Sequence, residues 1–211
     1  MITLVTFGPT QEPLDAMRII SNRSTGTLGT QLALTLCGHG HQVIALRGTG
    51  STAETGELLR AGIPIHSFTT TQELDDLLKL ISQTTPVDAL YHAAAVSDYY
   101  FPKATQSKIS TASGALTLTL EPTPKILPRL RTWFPAAHIT GWKFESSETG
   151  LERDNALAAA REQIDAARTD ACVLNGTAYG SGFGYLASGG AFMHLPNLKA
   201  LCDYLSARIS G

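Results

Sequence analysis

The sequence predicts an α/β protein with a doubly wound, mostly parallel sheet in a Rossmann-like three-layer arrangement. Three observations indicate this fold. Strand-like and helix-like segments alternate along the chain, most links between them are short, and several strand-like segments are continuous apolar runs, as in a sheet covered on both faces. The 211 residues show no internal repeat and no obvious linker, so a single domain over 1–211 is expected.

The elements follow in order along the chain. Residues 2–7 are apolar and β-rich, which predicts the first strand. Residues 25–37 have helical periodicity, and Gly38 is expected to act as the C-cap of that helix. The run Q-V-I-A-L at 42–46 predicts the second strand. The later predicted elements are helix 53–61, strand 63–68, helix 71–83, strand 87–95, helix 125–133, strand 138–142, helix 151–168, strand 171–175 and helix 198–209.

Two long stretches interrupt this alternation. Residues 96–122 end in the segment A-L-T-L-T-L at 115–120, whose period-two pattern predicts an extended strand arm or flap. Residues 176–194 are rich in glycine and aromatic residues and predict a hairpin against a sheet edge or a partner subunit, with a surface loop as the alternative.

Composition and charge exclude several classes of function. The chain is 43% hydrophobic and 16% charged, with a net charge of −2, so no basic excess indicates nucleic acid or a membrane surface. The N-terminus M-I-T-L-V-T-F lacks the features of a signal peptide, and no apolar run is long enough for a transmembrane helix. Cys37, Cys172 and Cys202 lie far apart in apolar segments and are expected to be reduced core residues. A cytoplasmic protein is predicted.

The loop after the first strand carries the strongest functional signal. It contains R-I-I-S-N-R-S-T-G-T-L-G at 18–29, at the carboxyl end of a strand, where α/β folds bind ligands. Ser24 or Thr25 is expected to cap the following helix, whose free N–H groups and dipole would then form an anion site. An ordinary capped helix after a long loop is the alternative, but loops of this length are usually functional.

The common nucleotide fingerprints are missing. The first strand is followed by G-P-T-Q-E-P rather than G-x-G-x-x-G, and the second strand ends in L-R-G without an acidic residue for a ribose. A nicotinamide oxidoreductase is therefore disfavoured, and the Walker lysine is absent as well. The six histidines show no ligand spacing, so no metal site made of protein side chains alone is expected, and any metal should arrive with phosphates.

Further polar groups are predicted at strand ends. Gly8 and Thr10 follow the first strand, and Ser97 and Asp98 follow the small-residue run A-A-A-V. Small side chains at 93–95 would let a ligand approach the backbone closely. Asp98 is placed to accept a hydrogen bond from a ribose hydroxyl, although a turn role is the alternative. Lys108, taken alone, is indistinguishable from a solvated surface lysine.

Five segments occur in one order and together resemble the phosphopantothenate–cysteine ligase (phosphopantothenoylcysteine synthetase) family of coenzyme A biosynthesis. They are V-T-F-G-P-T-Q-E-P-L-D-A-M-R-I-I-S-N-R-S-T-G-T-L-G, A-A-A-V-S-D-Y-Y-F-P, S-K-I-S, P-T-P-K-I-L and G-W-K-F-E-S. The resemblance covers about residues 2–175. It does not include the family's flavin-dependent decarboxylase, so a stand-alone ligase without FMN is expected, and whether a separate decarboxylase associates with it stays open.

The resemblance implies a two-step reaction. A nucleoside triphosphate with Mg²⁺ activates the carboxylate of 4′-phosphopantothenate as an acyl nucleotidylate, and the amine of L-cysteine then displaces the nucleotide. Lys108 would stabilise charge at the α-phosphate, Asn22 the tetrahedral oxyanion, and Arg18 the acidic substrate. CTP is the expected nucleotide, with ATP as the alternative. A homodimer is expected, without nucleic acid or membrane partners.

The resemblance also implies two sets of binding residues. The nucleotide set is Ala93, Ala94, Asp98, Lys108, Pro124, Lys125, Ile126, Leu127 and Trp142, and the set for substrate phosphate or carboxylate is Gly8, Arg18, Ser24, Thr25 and Gly26. One departure stands out. Gln163 and Ala167 occupy positions where many members carry triphosphate-binding lysines. Either the nearby Arg161 and Arg168 replace them, or the chain is a non-catalytic nucleotide-binding relative.

Overall fold

The computed structural model describes residues 1–112, 114–148, 150 and 152–209. In chain order the elements are β1 (Ile2–Phe7), β2 (Gln11–Pro13), β3 (Ile19–Ser21), α1 (Thr27–Gly38), β4 (Gln42–Gly48), α2 (Gly56–Arg60), β5 (Ile65–Phe68), α3 (Thr71–Thr84), β6 (Ala89–His92), β7 (Tyr99–Tyr100), β8 (Glu121–Pro122), α4 (Leu127–Trp133), β9 (His138–Phe144), α5 (Arg153–Ala167), β10 (Ala171–Asn175), β11 (Phe183–Ala187), β12 (Phe192–Leu195) and α6 (Leu198–Ile209).

Eight strands form the central sheet in the order β12-β11-β10-β9-β6-β1-β4-β5. The six strands from β10 to β5 run parallel to their neighbours, and β11 and β12 add an antiparallel hairpin at one edge. This confirms the predicted α/β, mostly parallel, doubly wound fold. Within the described residues, none of the helices combines the length and the apolar character needed to cross a membrane.

Successive side chains of the buried strands point to opposite faces of the sheet and pack against a layer of helices on each face. Val5 and Phe7 of β1 pack into a core with the apolar faces of α1, α2 and α6. Leu4, which precedes Val5 and so points to the opposite face of the sheet, packs in the core formed with α3 and α4. Residues Ala160 and Ile164 of α5 pack on Cys172 and Leu174 of β10. Because α5 also contacts α4, the second layer continues along that face.

The chain changes direction across the sheet between β1 and β6. From β1 it proceeds to β4 and β5 on one side, and then from β6 to β9 and β10 on the other. The loops after β1 and β6 therefore diverge, although the Ala95 amide still donates a hydrogen bond to the Gly8 carbonyl at 2.9 Å. In doubly wound sheets such a switch point opens a crevice at the carboxyl ends of the strands.

The segment at 115–120 differs from its prediction, because it forms no strand. In its place β7 and β8 pair as a two-residue antiparallel ladder at the ends of the arm. Leu116 is 49% exposed and Leu120 is 37% exposed, so none of the residues that the structure describes buries these two leucines. A period-two pattern stabilises a strand only when one face is covered, and here neither face is.

Both ends of α1 also differ from expectation. The N-cap is Gly26 at φ 80°, and it has no capping side chain, although the Thr25 hydroxyl accepts a hydrogen bond from the Thr27 amide at 3.3 Å. Ser24 does not cap. At the other end α1 includes Gly38, so the C-cap is His39 and not the predicted Gly38, and Gly40 takes the left-handed conformation at φ 83°. The predicted start of the 151–168 helix at residue 151 lies outside the described residues, and α5 begins at Arg153.

Candidate functional site

Two adjoining cavities lie at the switch point, above the carboxyl ends of β1, β6 and β9. We call them the α1-side cavity, of about 920 Å³, and the α5-side cavity, of about 330 Å³. They share four wall residues, Ala94, Val96, Asp98 and Trp142. The two cavities therefore form one continuous cleft with Trp142 and Asp98 at its centre.

The α1-side cavity is bounded by the loop before α1 and the first turn of that helix. The Asn22 amide Nδ2 donates a hydrogen bond to the Val96 carbonyl at 2.8 Å, which ties this loop to the loop after β6. The floor of the α1-side cavity is lined by Thr25, Gly26 and the N-terminal turn of α1. Free amides at the start of a twelve-residue helix, with the dipole behind them, favour an anionic group at this end.

The start of α1 is held close to the sheet by two glycines. A Cβ at Gly29 would lie 2.1 Å from the Phe7 Cβ, and one at Gly26 would lie 2.1 Å from the Ser51 Oγ. Ser51 Oγ in turn donates a hydrogen bond to the Thr25 carbonyl at 2.7 Å. Only residues without a side chain allow the helix to begin this near β1, and so the glycines place its amides in the cleft.

The α5-side cavity is walled by the P-T-P-K-I-L segment, β9 and one face of α5. Asp98 and Lys125 form an ion pair at the mouth, with both side chains about two-thirds exposed. The Thr123 amide donates to the Asp98 carbonyl at 3.0 Å, which links the loop after β6 to this segment. Gln163 and Ala167 of α5 close the far wall with uncharged side chains.

A buried histidine lies at the base of the α5-side cavity. His92, the last residue of β6, shares a hydrogen bond between its Nδ1 and the Thr6 hydroxyl at 2.8 Å. Burial lowers the pKa of the His92 imidazole to about 4, because the apolar surroundings disfavour the charged form. The imidazole is therefore neutral at physiological pH and adds no positive charge to the cleft.

Most of the residues predicted for the site come together in this cleft. Asn22, Ser24, Thr25, Gly26 and Ala93 line the α1-side cavity. The α5-side cavity is lined by Pro124, Lys125, Ile126 and Leu127, and Ala94, Asp98 and Trp142 lie between the two.

Three predicted residues do not line either cavity. Gly8, at φ 80°, packs against the end of β4 and the loop after it, where an added Cβ would lie 2.9 Å from the Ser51 Cβ and 3.3 Å from the Gly48 amide nitrogen, so this position has no room for a side chain. Arg18 lies on the β2–β3 hairpin and its Nη2 donates to the Ile109 carbonyl at 3.1 Å. Lys108 is exposed on the adjacent loop. The two cations therefore belong to one unit outside the cleft.

Asp15 holds this unit together. Its carboxylate accepts hydrogen bonds from the amides of Ile109 at 3.0 Å, Met17 at 2.8 Å and Arg18 at 2.9 Å. The bond from Ile109, followed by that from Met17, lowers the pKa of the Asp15 carboxyl, and the Arg18 charge acts in the same direction. We call Asp15, Arg18, Lys108 and Ile109 the Arg18 clamp.

Arg161 and Arg168 are the arginines nearest to Gln163 and Ala167 in the chain, and neither is among the residues that line the cleft. Arg161 lines a separate cavity of about 330 Å³ beside the β11–β12 turn. Arg168 is the C-cap residue of α5 at φ 54°, and its carbonyl accepts a hydrogen bond from Arg131 Nε at 3.0 Å. The structure therefore gives no support to a direct replacement of the lysines by Arg161 or Arg168.

Among the cleft residues that the sequence reasoning missed, four have ionisable or amide side chains: Arg23, His92, Lys143 and Asn175. Three of them lie at or near the carboxyl ends of β6, β9 and β10, so strand ends were the available signal. In the described ranges, no three His, Cys, Asp or Glu side chains come together as a metal site.

The sequence matches a known protein family over most of its length. Residues 2–193 match the family described as the DNA/pantothenate metabolism flavoprotein C-terminal domain. The bifunctional coenzyme A biosynthesis protein CoaBC of Thermococcus kodakarensis is 33% identical over 172 residues, which are 82% of this chain and 40% of that protein. The chain thus spans less than half of this relative's length.

Solved structures share the fold. The DNA/pantothenate metabolism flavoprotein of Streptococcus pneumoniae superposes with a TM-score of 0.83 at 23% identity, covering 100% of this chain and 98% of that one. A Cab2 mutant in complex with phosphopantothenate-cysteine superposes with a TM-score of 0.73 at 22% identity, covering 100% and 89%. The matched family spans most of the chain, which therefore belongs to the DNA/pantothenate metabolism flavoprotein C-terminal domain family.

Proposed function

We propose that this chain is a phosphopantothenate–cysteine ligase that uses CTP, with ATP as the alternative nucleotide. The observation that carries the proposal is the continuous cleft. Its two cavities meet at Asp98 and Trp142, and their walls contain most of the residues that the resemblance assigned to substrate and nucleotide. The names of the relatives support it, since CoaBC is named for coenzyme A biosynthesis and the Cab2 mutant was solved with phosphopantothenate-cysteine.

The α5-side cavity is proposed to hold the nucleotide. Trp142 offers a broad aromatic wall for a base, and the Asp98 carboxylate at the mouth is placed to accept a hydrogen bond from a ribose hydroxyl. Lys125 holds Asp98 at this position through their ion pair. Ala93 and Ala94 expose the backbone after β6, so a ligand can approach it closely.

The α1-side cavity is proposed to hold the acid substrate. Ser24, Thr25 and Gly26 present hydroxyls and the start of α1 to an anionic group, which a helix N-terminus stabilises. Asn22 lies between this anion site and the shared wall. Its amide Nδ2 carries two N–H groups, so it has one donor left besides its bond to Val96.

The proposed chemistry follows from this arrangement. A carboxylate oxygen of 4′-phosphopantothenate attacks the α-phosphorus of the triphosphate, and pyrophosphate leaves with the electrons of the broken P–O bond. The cysteine amine then attacks the acyl carbon, loses a proton and expels the nucleoside monophosphate. Asn22 would donate to the oxyanion of this second step, where a lost donor costs about 10²–10³ in rate. Mg²⁺ would accompany the triphosphate.

We further propose that the active unit is a homodimer in the cytoplasm. Arg18 and Lys108 lie outside their own cleft, yet the resemblance assigns both to the reaction. Apolar side chains are exposed on both segments: Met17 is 73% and Ile19 52% exposed next to Arg18 in the chain, and Leu116 and Leu120 are exposed on the arm that carries Lys108. Burial of this surface against a second subunit would carry the Arg18 clamp to the partner's cleft.

A non-catalytic nucleotide-binding relative is the second candidate, because Gln163 and Ala167 leave the α5 wall uncharged. One experiment separates the two. The purified chain is given 4′-phosphopantothenate, L-cysteine, Mg²⁺ and either CTP or ATP at subsaturating concentration, and pyrophosphate and amide product are both measured. The ligase should form both, faster with CTP. Nucleotide binding without either product would support the relative.

A further inference from the structure

The α5 wall of the cleft supplies no positive charge to a bound triphosphate. Gln163, Ala166 and Ala167 face the cavity, and all three are uncharged. The Gln163 amide is engaged, since its Nε2 donates to the Trp142 carbonyl at 3.3 Å and lies 3.3 Å from the Cys172 Sγ. Arg153, at the start of α5, lies over the Tyr179 ring at 4.6 Å and donates to the Tyr179 carbonyl.

Strand β9 supplies the charge that α5 lacks. Gly141 faces the α4–α5 layer, because a Cβ there would lie 3.0 Å from Gln163 Nε2 and 3.1 Å from Leu127 Cδ2. Lys143 is two residues further along the same strand, so it has the same facing. Its side chain lines the α5-side cavity and is 36% exposed.

Lys143 is one of two lysines that line this cavity, and each forms an ion pair with a carboxylate. Lys125 contacts Asp98 at the mouth, where we place the ribose. The Lys143 Nζ forms an ion pair with Glu145 Oε1 at 3.1 Å, and both side chains are partly exposed. Its charge also opposes the rise in the pKa of the Cys172 thiol that burial produces.

We propose that Lys143 binds the phosphate chain of the nucleotide from the β9 side and so replaces a cation on α5. This inference rests on the proposed function only in naming the ligand as a nucleoside triphosphate. Without a ligand, Glu145 keeps the ammonium at the edge of the cavity. On binding, the ammonium donates to phosphate oxygens, and Glu145 lies close enough to compete for it.

The test is equilibrium binding of CTP, ATP, CMP and AMP by calorimetry. Lys143→Met removes the charge at similar length, and Lys143→Met/Glu145→Gln also removes the carboxylate that the first change leaves unpaired. We expect the double variant to bind the tighter triphosphate at least about tenfold more weakly, as for a lost charge-assisted hydrogen bond. Binding of the matching monophosphate should change less than about twofold. Lys143→Arg should recover most of the loss.

Arg161→Met is the matched control, because Arg161 is a cation on α5 that lines a different cavity. It should leave every dissociation constant unchanged. Equal losses for triphosphate and monophosphate would overturn the proposal, since a general structural defect acts on both. So would an unchanged affinity in both Lys143 variants, or no triphosphate binding by the parent chain. Binding that depends on Lys143 without amide formation would instead overturn the ligase and retain this inference.

Discussion

The Arg18 guanidinium donates a hydrogen bond to the Ile109 carbonyl at 3.1 Å, although 91 positions separate the two residues in the chain. This contact joins the β2–β3 hairpin to the loop that carries Lys108. The two cations assigned to catalysis by resemblance are therefore held on adjoining segments, one in direct contact with the residue that follows the other.

The roles proposed for Asn22 and Lys108 separate the two half-reactions. Asn22→Ala should leave pyrophosphate release largely intact and slow amide formation by about 10²–10³, because one oxyanion donor is lost. The acyl nucleotidylate would then accumulate. Lys108→Ala should slow pyrophosphate release itself. Single-turnover measurements of pyrophosphate and amide with the same enzyme sample report both steps.

Folding must be checked for Asn22→Ala, because the Asn22 amide also bonds to the Val96 carbonyl at 2.8 Å. Asn22→Asp removes the same N–H donors, including the one to Val96, so it should show the same accumulation, and the unfolding free energies of both Asn22 variants are compared with that of the parent chain. If Asn22→Ala and Lys108→Ala fail at the same step, or if either keeps full turnover, the assigned roles are wrong.

The close approach of α1 to β1 predicts a sharp difference between two glycines of one helix. Gly29→Ala places a Cβ 2.1 Å from the Phe7 Cβ, and overpacking of this kind costs about 1–3 kcal/mol of unfolding free energy. Gly38→Ala meets no atom within 4 Å and should be neutral or stabilising by up to about 1 kcal/mol. Urea unfolding measures both.

Substrate binding gives a second measurement for Gly29→Ala and Gly38→Ala. Because Gly29 lines the α1-side cavity, a displaced helix start should also weaken binding of 4′-phosphopantothenate, whereas Gly38→Ala should leave it unchanged. Equal stability of the two variants would show that α1 can move away from Phe7 at no cost.

Local patterns predicted the parallel sheet well. The apolar runs at 2–7, 42–46 and 171–175 all form buried strands, because a strand covered on both faces needs no information from distant residues. The cleft was also predictable, because Asn22 and Asp98 lie in the loops after β1 and β6 and Trp142 lies near the carboxyl end of β9, and carboxyl ends of parallel strands meet at one edge.

Features that depend on tertiary contacts were not predictable. The leucines at 116 and 120 alternate as in a strand, but no partner within the described chain covers them. Gly8 was expected to bind substrate, yet its left-handed backbone is explained by its fit against Ser51 of a distant loop. The sequence did not identify Lys143 as a cleft residue, because the surroundings of its side chain depend on how β9 packs against α5.

Buried His92 predicts a pH dependence of stability. Its pKa in the folded chain is about 4, below the value of 6.5 for a free histidine, so between these values the unfolded chain binds more protons. Stability is therefore lost as the pH falls from about 6.5 towards 4. Between pH 7 and pH 5 the linkage amounts to about 2 kcal/mol of unfolding free energy.

Burial also lowers the pKa values of His41 and His138, so the whole slope does not belong to His92. Comparison with His92→Gln isolates the contribution of His92 to the pH dependence of stability, because the other two histidines remain in both proteins. The variant should show a shallower loss of unfolding free energy over the same range in urea titrations. Parallel pH profiles would mean that His92 is not protonated on unfolding.

The proposed dimer predicts complementation between specific pairs of inactive variants. If the Arg18 clamp serves the partner's cleft, Arg18→Ala removes a contribution in trans, whereas Trp142→Ala damages the cleft of its own subunit. A mixed dimer then keeps one intact site, so mixing the two inactive proteins should restore up to about a quarter of the wild-type activity at random exchange. Arg18→Ala mixed with Lys108→Ala should stay inactive, because the Arg18–Ile109 contact places both on one clamp.

The complementation experiment needs two controls. Subunit exchange is verified with differently tagged wild-type chains, and sedimentation is run at the concentration of the assay. A monomer with full activity there would contradict the dimer. Recovery by Arg18→Ala with Lys108→Ala, but not with Trp142→Ala, would show that the two cations serve different sites. In that case the 3.1 Å contact would be a structural tie and not part of a shared catalytic unit.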